Sequence, residues 1–158
     1  MQVSSTVKNR QTTAGYLATL YLYHQQSAEQ YRQLMDTLVD RKEILSLTNS
    51  LADYHLDREN TIRVLLEDMA PSPVKPNADM ISEVKVLSAE QSNNDVSLLQ
   101  HYKTQEERTL KYYSGMLDND GIPQGLYEKL QQMSERAQDV CSKLHRIISS
   151  GMQRDMSI

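Results

Sequence analysis

The sequence predicts an all-α domain in which four long helices form a bundle of two antiparallel hairpins. Four stretches repeat apolar residues in alternating steps of four and three, which is typical of helices that pack along their whole length. The 158 residues include only five glycines and four prolines, the residue types that disfavour helix interiors. Three prolines, Pro71, Pro73 and Pro76, lie close together between the second and third stretches, where they end the second helix.

The first predicted helix begins near residue 14, and its apolar stripe runs from Leu17 to Leu38. Residues 1–13 are polar, and we expect them to be frayed. The second helix opens after Asp40, a residue type suited to a helix N-cap, and continues to the proline cluster. The break between these helices is very short, which favours an antiparallel hairpin.

The link between the second and third helices, residues 70–93, is far longer than a bundle turn requires. It predicts a crossover along the bundle that contains a short helix over about residues 79–90. Ser92, Asn93 and Asn94 interrupt that short helix and are suited to cap the third helix. After a turn at 118–121, Pro123 suits the first position of the fourth helix, so these two helices form the second hairpin. The bundle is predicted over residues 14–150, with a frayed tail at 151–158.

The composition excludes several classes of function. Seventeen basic residues are interspersed with 21 acidic ones, for a net charge of −4, which argues against nucleic acid as a partner. No run approaches the 18 apolar residues of a membrane span. The single cysteine excludes an internal disulfide, and the polar N-terminal segment lacks the features of an export signal. The sequence therefore predicts a cytoplasmic protein.

Four polar residues occupy positions where apolar residues are expected. His24, His55, Arg58 and Glu106 each lie on an apolar stripe near the middle of its helix, whereas the fourth helix has none. A stripe faces the core, so polar side chains on it need partners. Hairpin geometry brings the helix midpoints together. We therefore expect these four residues to form a polar layer in one cross-section.

Two interpretations remain open for each part of this layer. Arg58 and Glu106 are expected to form a buried ion pair, or else Arg58 extends outward from a rotated helix. His24 and His55 are expected to hydrogen-bond to Glu106 and to tyrosine hydroxyls. Alternatively, the two imidazoles and the carboxylate bind one zinc or iron ion.

The cysteine and the remaining tyrosines are predicted to serve packing rather than chemistry. Cys141 lies beside the stripe of the fourth helix and is predicted to be a buried, unreactive thiol, because a redox thiol needs exposure and a positive neighbour. Some of the tyrosines that lie off the main stripes are expected to form a second apolar face for another subunit. The tyrosines off the stripes are Tyr16, Tyr23, Tyr54, Tyr112 and Tyr127.

Two hairpins, a long crossover and inward-facing polar residues resemble the ferritin-like superfamily over residues 14–150. The segment Leu51-Ala52-Asp53-Tyr54-His55-Leu56-Asp57-Arg58 resembles the second helix of rubrerythrin-related proteins, in which an Ala-rich turn leads into a Glu-x-x-His motif. Residues 106–113, together with Asp120-Gly121-Ile122-Pro123, resemble a group of bacterial ferritin-like proteins.

The resemblance implies a degenerate di-iron site. A ferritin-like site uses one Glu from each of two helices and a Glu-x-x-His from each of the other two. His55 and Arg58 stand where the second-helix motif has Glu and His, and Glu106 matches a single Glu. On the fourth helix the equivalent residues are Ala137 and Val140, which cannot bind metal.

The first helix offers His24 to this site, while its nearest acid, Glu29, is one step off the stripe. The resemblance therefore implies no catalytic residue and no cofactor. We expect a non-enzymatic bacterial protein that acts through protein contacts in stress physiology, with an unidentified partner or a second copy in a homodimer. The alternative is a metal-binding or oxidoreductase protein with a rearranged site, in which His24, His55 and Glu106 hold one iron or zinc ion.

Overall fold

The computed structural model describes residues 2–69, 93–150 and 158, with side chains from residue 13 onward. Within these ranges the chain is helical and has no strand. The long helices are α1 (Gln2–Met35), α2 (Lys42–Met69), α3 (Asp95–Leu117) and α4 (Gln124–Ser150). The all-α class predicted from the apolar stepping is confirmed. Across the described helices, none is long and apolar enough to cross a membrane.

The first hairpin differs from its prediction at two boundaries. Helix α1 begins at Gln2, within the segment 1–13 that the sequence predicts to be frayed. Helix α2 begins at Lys42 rather than directly after Asp40, because the backbone oxygen of Arg41 accepts the first helical hydrogen bond, from the Leu45 amide at 2.9 Å. The proline cluster is consistent with the end of α2 at Met69.

The second hairpin begins with the predicted cap. The Asn94 side chain accepts a hydrogen bond from the Ser97 amide at 3.1 Å, which satisfies one of the free donors at the start of α3. Pro123 lies one residue before α4, and its carbonyl oxygen accepts from the Tyr127 amide at 2.9 Å. A proline costs nothing there because its missing N–H would have had no helical partner.

Two apolar clusters define the directions of the helices. The first contains the α1–α2 turn region, the beginning of α3 and the end of α4: Tyr31, Leu38, Ile44, Leu47, Leu51, Ala52, Tyr54, Leu98, Leu99, Tyr102, Val140, Leu144 and Ile147. The second contains the opposite parts of the same helices: Leu17, Leu20, Ile62, Tyr113, Met116, Leu130, Met133 and Ala137. Each hairpin is therefore antiparallel, and α2 and α3 run in the same direction.

Helix α1 packs chiefly against α2, and α3 packs chiefly against α4. The first cluster is also joined at its edge by an ion pair between Arg41 in the α1–α2 turn and Asp95 at the start of α3. The predicted crossover and short helix at 70–93 lie outside the described residues, apart from residue 93. The predicted tail lies outside them too, apart from Ile158.

The apolar stripes are buried largely as predicted, and most completely in α3. Its residues at alternating steps of three and four are all buried: Leu99, Tyr102, Glu106, Thr109, Tyr113 and Met116. The prediction for the off-stripe tyrosines is wrong at two positions. Tyr23 is 0% exposed and Tyr54 is 6% exposed, so both belong to this chain's own core. Tyr16, in contrast, is on the surface.

Candidate functional site

Three of the four polar stripe residues meet in the middle of the bundle. His24 comes from α1, His55 from α2 and Glu106 from α3, and each is at most 1% exposed. Antiparallel pairing brings the midpoints of α1 and α2 together, and α3 contributes its own midpoint to the same level. Above and below this level the core is made by the two apolar clusters.

His55 is the central residue of this network. Its Nδ1 atom lies 2.7 Å from Nδ1 of His24. Its Nε2 atom lies 3.0 and 2.9 Å from the two carboxylate oxygens of Glu106. The two partners therefore lie at opposite edges of one imidazole ring.

A tyrosine closes each end of the network. The Tyr113 hydroxyl lies 2.8 Å from Nε2 of His24. The Tyr31 hydroxyl donates a hydrogen bond of 2.6 Å to Oε2 of Glu106. Both tyrosines lie on the predicted core stripes and are at most 3% exposed. The network thus runs from Tyr113 through His24, His55 and Glu106 to Tyr31.

The carboxylate of Glu106 sets the direction of every hydrogen bond in this network. A carboxylate only accepts, so His55 Nε2 must carry a hydrogen. A neutral imidazole has one donor and one acceptor, so His55 Nδ1 then accepts from His24 Nδ1–H. His24 Nε2 in turn accepts from the Tyr113 hydroxyl.

Burial determines the protonation of the outer groups. It lowers the pKa of His24 well below its usual value of 6.5, and His55 and Arg58 lower it further. It raises the pKa of Tyr31 well above 10, and Glu106 adds to that rise. The pKa of Tyr113 is also raised, mainly by burial. His24 is therefore neutral and both hydroxyls keep their protons at neutral pH.

The predicted ion pair between Arg58 and Glu106 is wrong. Arg58 lies at the edge of the site, with 20% of its side chain exposed, and its guanidinium contacts Asp57 at 3.2 Å. The buried partner of Glu106 is His55. The alternative interpretation, in which Arg58 extends outward, describes its position better. Partial exposure to solvent lowers the desolvation cost of this charged side chain.

A second buried hydrogen-bonded group involves Tyr23, which the sequence interpretation placed off the core stripe. The Tyr23 hydroxyl donates to the backbone oxygen of Gln105 at 2.9 Å and accepts from Thr109 Oγ1 at 3.1 Å. A signal was present, because Leu20, Tyr23 and Ser27 form a second stripe at steps of three and four, and all three are buried. Helix α1 thus buries a wider face than one stripe.

The three predicted metal-ligand candidates are not arranged around one point. His24 contacts one nitrogen of His55 and Glu106 contacts the other, and these two nitrogens point in different directions from the ring. Among the described residues, no group of three or more His, Cys, Asp or Glu is placed to hold a metal ion. Ala137 and Val140 lie in the apolar clusters.

Two further residues lie away from the network. Glu29, the acid nearest to the α1 stripe, is exposed and contacts Gln33. Cys141 is buried, as predicted, and burial raises the pKa of its thiol to about 12. No protein-family profile, curated protein or solved structure matches this chain.

Proposed function

We propose that this chain is a ferritin-like bundle whose central layer is a closed hydrogen-bond network in place of a di-metal site, and that it is non-enzymatic. The observation that carries the proposal is the position of His55 between Glu106 and His24, with bonds at both ring nitrogens. Those bonds use the atoms that a metal ion would require. They also satisfy buried polar groups that would otherwise be costly.

The burial of the network supports a structural role. His24, His55 and Glu106 are 0–1% exposed, and both terminal tyrosines are buried within the same core. Each end of the network is a buried hydroxyl whose raised pKa keeps its proton in place at neutral pH, so neither end offers an acid or a base to a substrate. Catalysis on a substrate needs a group within reach of it, and none of these side chains reaches the surface.

The helix directions support the ferritin-like part of the proposal. Helices α2 and α3 run in the same direction, since α2 ends beside the second apolar cluster and α3 begins beside the first. A crossover along the bundle is the connection that such a pair needs. The bundle would then act through its surface on a protein partner. The resemblance implies that it does so in the bacterial cytoplasm, as part of stress physiology.

Elemental analysis of the full chain purified without chelators tests the proposal. We expect less than stoichiometric iron, manganese and zinc, before and after incubation with each ion under reducing conditions. Two iron or manganese ions per chain, lost in Glu106→Gln, would instead establish the rearranged metal site. The matched control is Glu107→Gln, because Glu107 is the exposed neighbour of Glu106 and pairs with Lys103 at 3.7 Å.

A further inference from the structure

Another group of polar side chains, separate from the Tyr23 group, lies between α2 and α4 at the edge of the buried network. Its centre is the ring of Tyr54, which is 6% exposed. The guanidinium carbon of Arg58 lies 5.9 Å from the centre of this ring, and that of Arg136, from α4, lies 5.7 Å from it. Two cationic side chains from different helices therefore pack over the ring of one buried tyrosine.

Two hydrogen-bond donors in this group have no partner. The Tyr54 hydroxyl and Nε of Arg58 are both buried without a hydrogen bond. They come from adjacent turns of α2, because the residues are four apart. An unmatched buried donor costs free energy, about 1–3 kcal/mol, and folded proteins contain few of them. An acceptor between the two groups would remove that cost.

Among the residues that the structure describes, the acidic side chains near the two arginines are either exposed or already bonded. Arg58 contacts Asp57 at 3.2 Å, but 70% of that aspartate side chain is exposed, so the pair is weak. Arg136 donates a long hydrogen bond of 3.4 Å to the backbone oxygen of Ile158. The buried carboxylate of Glu106 is already bonded to His55 and Tyr31.

We propose that Arg58, Arg136 and the Tyr54 hydroxyl bind a small oxyanion, either a phosphate group or a carboxylate group. All three side chains are donors when the phenol is protonated, so the missing partner must be an acceptor. Arginine suits both groups because its planar donors match two oxygens at once.

The oxyanion site borders the histidine network without sharing its hydrogen bonds. The Tyr54 ring centre lies 4.9 Å from that of His55 and 6.3 Å from that of His24. The site does not depend on whether the central layer ever binds metal, so it can fail or succeed independently of the proposed function.

Calorimetric titration of the full chain with inorganic phosphate, and separately with acetate, tests the site at constant ionic strength set by sodium chloride. We expect saturable binding of at least one of the two anions with a stoichiometry near one. The anion that binds more tightly identifies the class of oxyanion that the site prefers. Arg136→Gln and Arg58→Gln should each weaken this binding by about tenfold or more, the loss expected for one charge-assisted contact.

Two further variants keep the result interpretable. Tyr54→Phe removes only the unmatched hydroxyl and should weaken binding while the bundle stays folded. Arg146→Gln is the matched control, because Arg146 is an exposed arginine of α4 that contacts the backbone of its own helix. No saturable binding of either anion would overturn the proposal. Equal affinity in the wild type and in both arginine variants would also overturn it, because it would indicate non-specific attraction.

Discussion

The Nδ1 atoms of His24 and His55 lie 2.7 Å apart inside the bundle, and the two ring centres are separated by 4.9 Å. Two imidazoles at this distance need one proton between them, because two facing lone pairs or two facing N–H groups would repel. Glu106 supplies the asymmetry. It binds the far nitrogen of His55 and thereby determines which histidine donates.

The first prediction concerns the central carboxylate. Glu106→Ala leaves His55 Nε2 and the Tyr31 hydroxyl without their acceptor in a site that is sealed from water. We expect the free energy of unfolding to fall by about 2–6 kcal/mol, because each of the two stranded buried donors costs about 1–3 kcal/mol. Urea denaturation followed by circular dichroism measures it.

Two neighbours of Glu106 provide the controls. Glu107→Ala removes an exposed carboxylate whose partner is Lys103, and the loss should stay below about 1 kcal/mol. Arg58→Met should also cost less than about 1 kcal/mol, since the pair with Asp57 is exposed on one side. A loss in Arg58→Met as large as that in Glu106→Ala would contradict the assignment of His55 as the buried partner.

The second prediction concerns pH. The pKa of His24 is lower in the folded chain than the usual 6.5, so below about pH 6.5 the unfolded chain binds more protons at this residue. The contribution of His24 to stability is therefore present above that pH and is lost as the pH falls toward the lowered pKa. We expect the free energy of unfolding to decrease from pH 7.5 to 5.0.

The matched variants are His24→Gln and His145→Gln. His24→Gln should flatten the decrease between pH 6.5 and 5.0, whereas His145→Gln, on the exposed face of α4, should preserve it. An unchanged slope in His24→Gln would show that His24 takes up its proton equally in both states.

The third prediction separates the two terminal tyrosines. Tyr31→Phe removes a donor to a carboxylate and should cost about 1.5–3 kcal/mol, whereas Tyr113→Phe removes a bond between neutral groups and should cost about 1 kcal/mol. Thermal melts compared with Tyr127→Phe, a partly exposed position, measure the difference. The reverse order of the two losses would argue that the charge of the network does not lie on Glu106.

The fourth prediction concerns Cys141. Burial protects the thiol and raises its pKa to about 12, and the thiolate is the reactive form. Native protein at pH 8 should therefore react with an aromatic disulfide reagent at least tenfold more slowly than protein unfolded in guanidinium. The reaction of the unfolded protein should release one equivalent of the aromatic thiolate per chain. Equal rates in the two states would place the thiol at the surface.

Much of the architecture was predictable from the sequence because helix period and burial are local properties. In α3 the alternation of steps identified every buried position on its main stripe, including Glu106 among apolar neighbours. A cap within residues 92–94 was predictable for the same reason, and the structure shows Asn94 in that role, with its side chain bonded to the amide three residues further on.

The sequence by itself determined the four helices, the two turns and the presence of His24, His55 and Glu106 on core stripes, because each follows from residue spacing along one helix. The tertiary structure alone decided which atoms meet. A rotation of α2 that spacing does not specify turns Arg58 toward the edge and buries Tyr54, and the width of the α1 face buries Tyr23. The order of the hydrogen bonds through His55 also depends on three helices at once, because each partner comes from a different helix and no local pattern contains their relative positions.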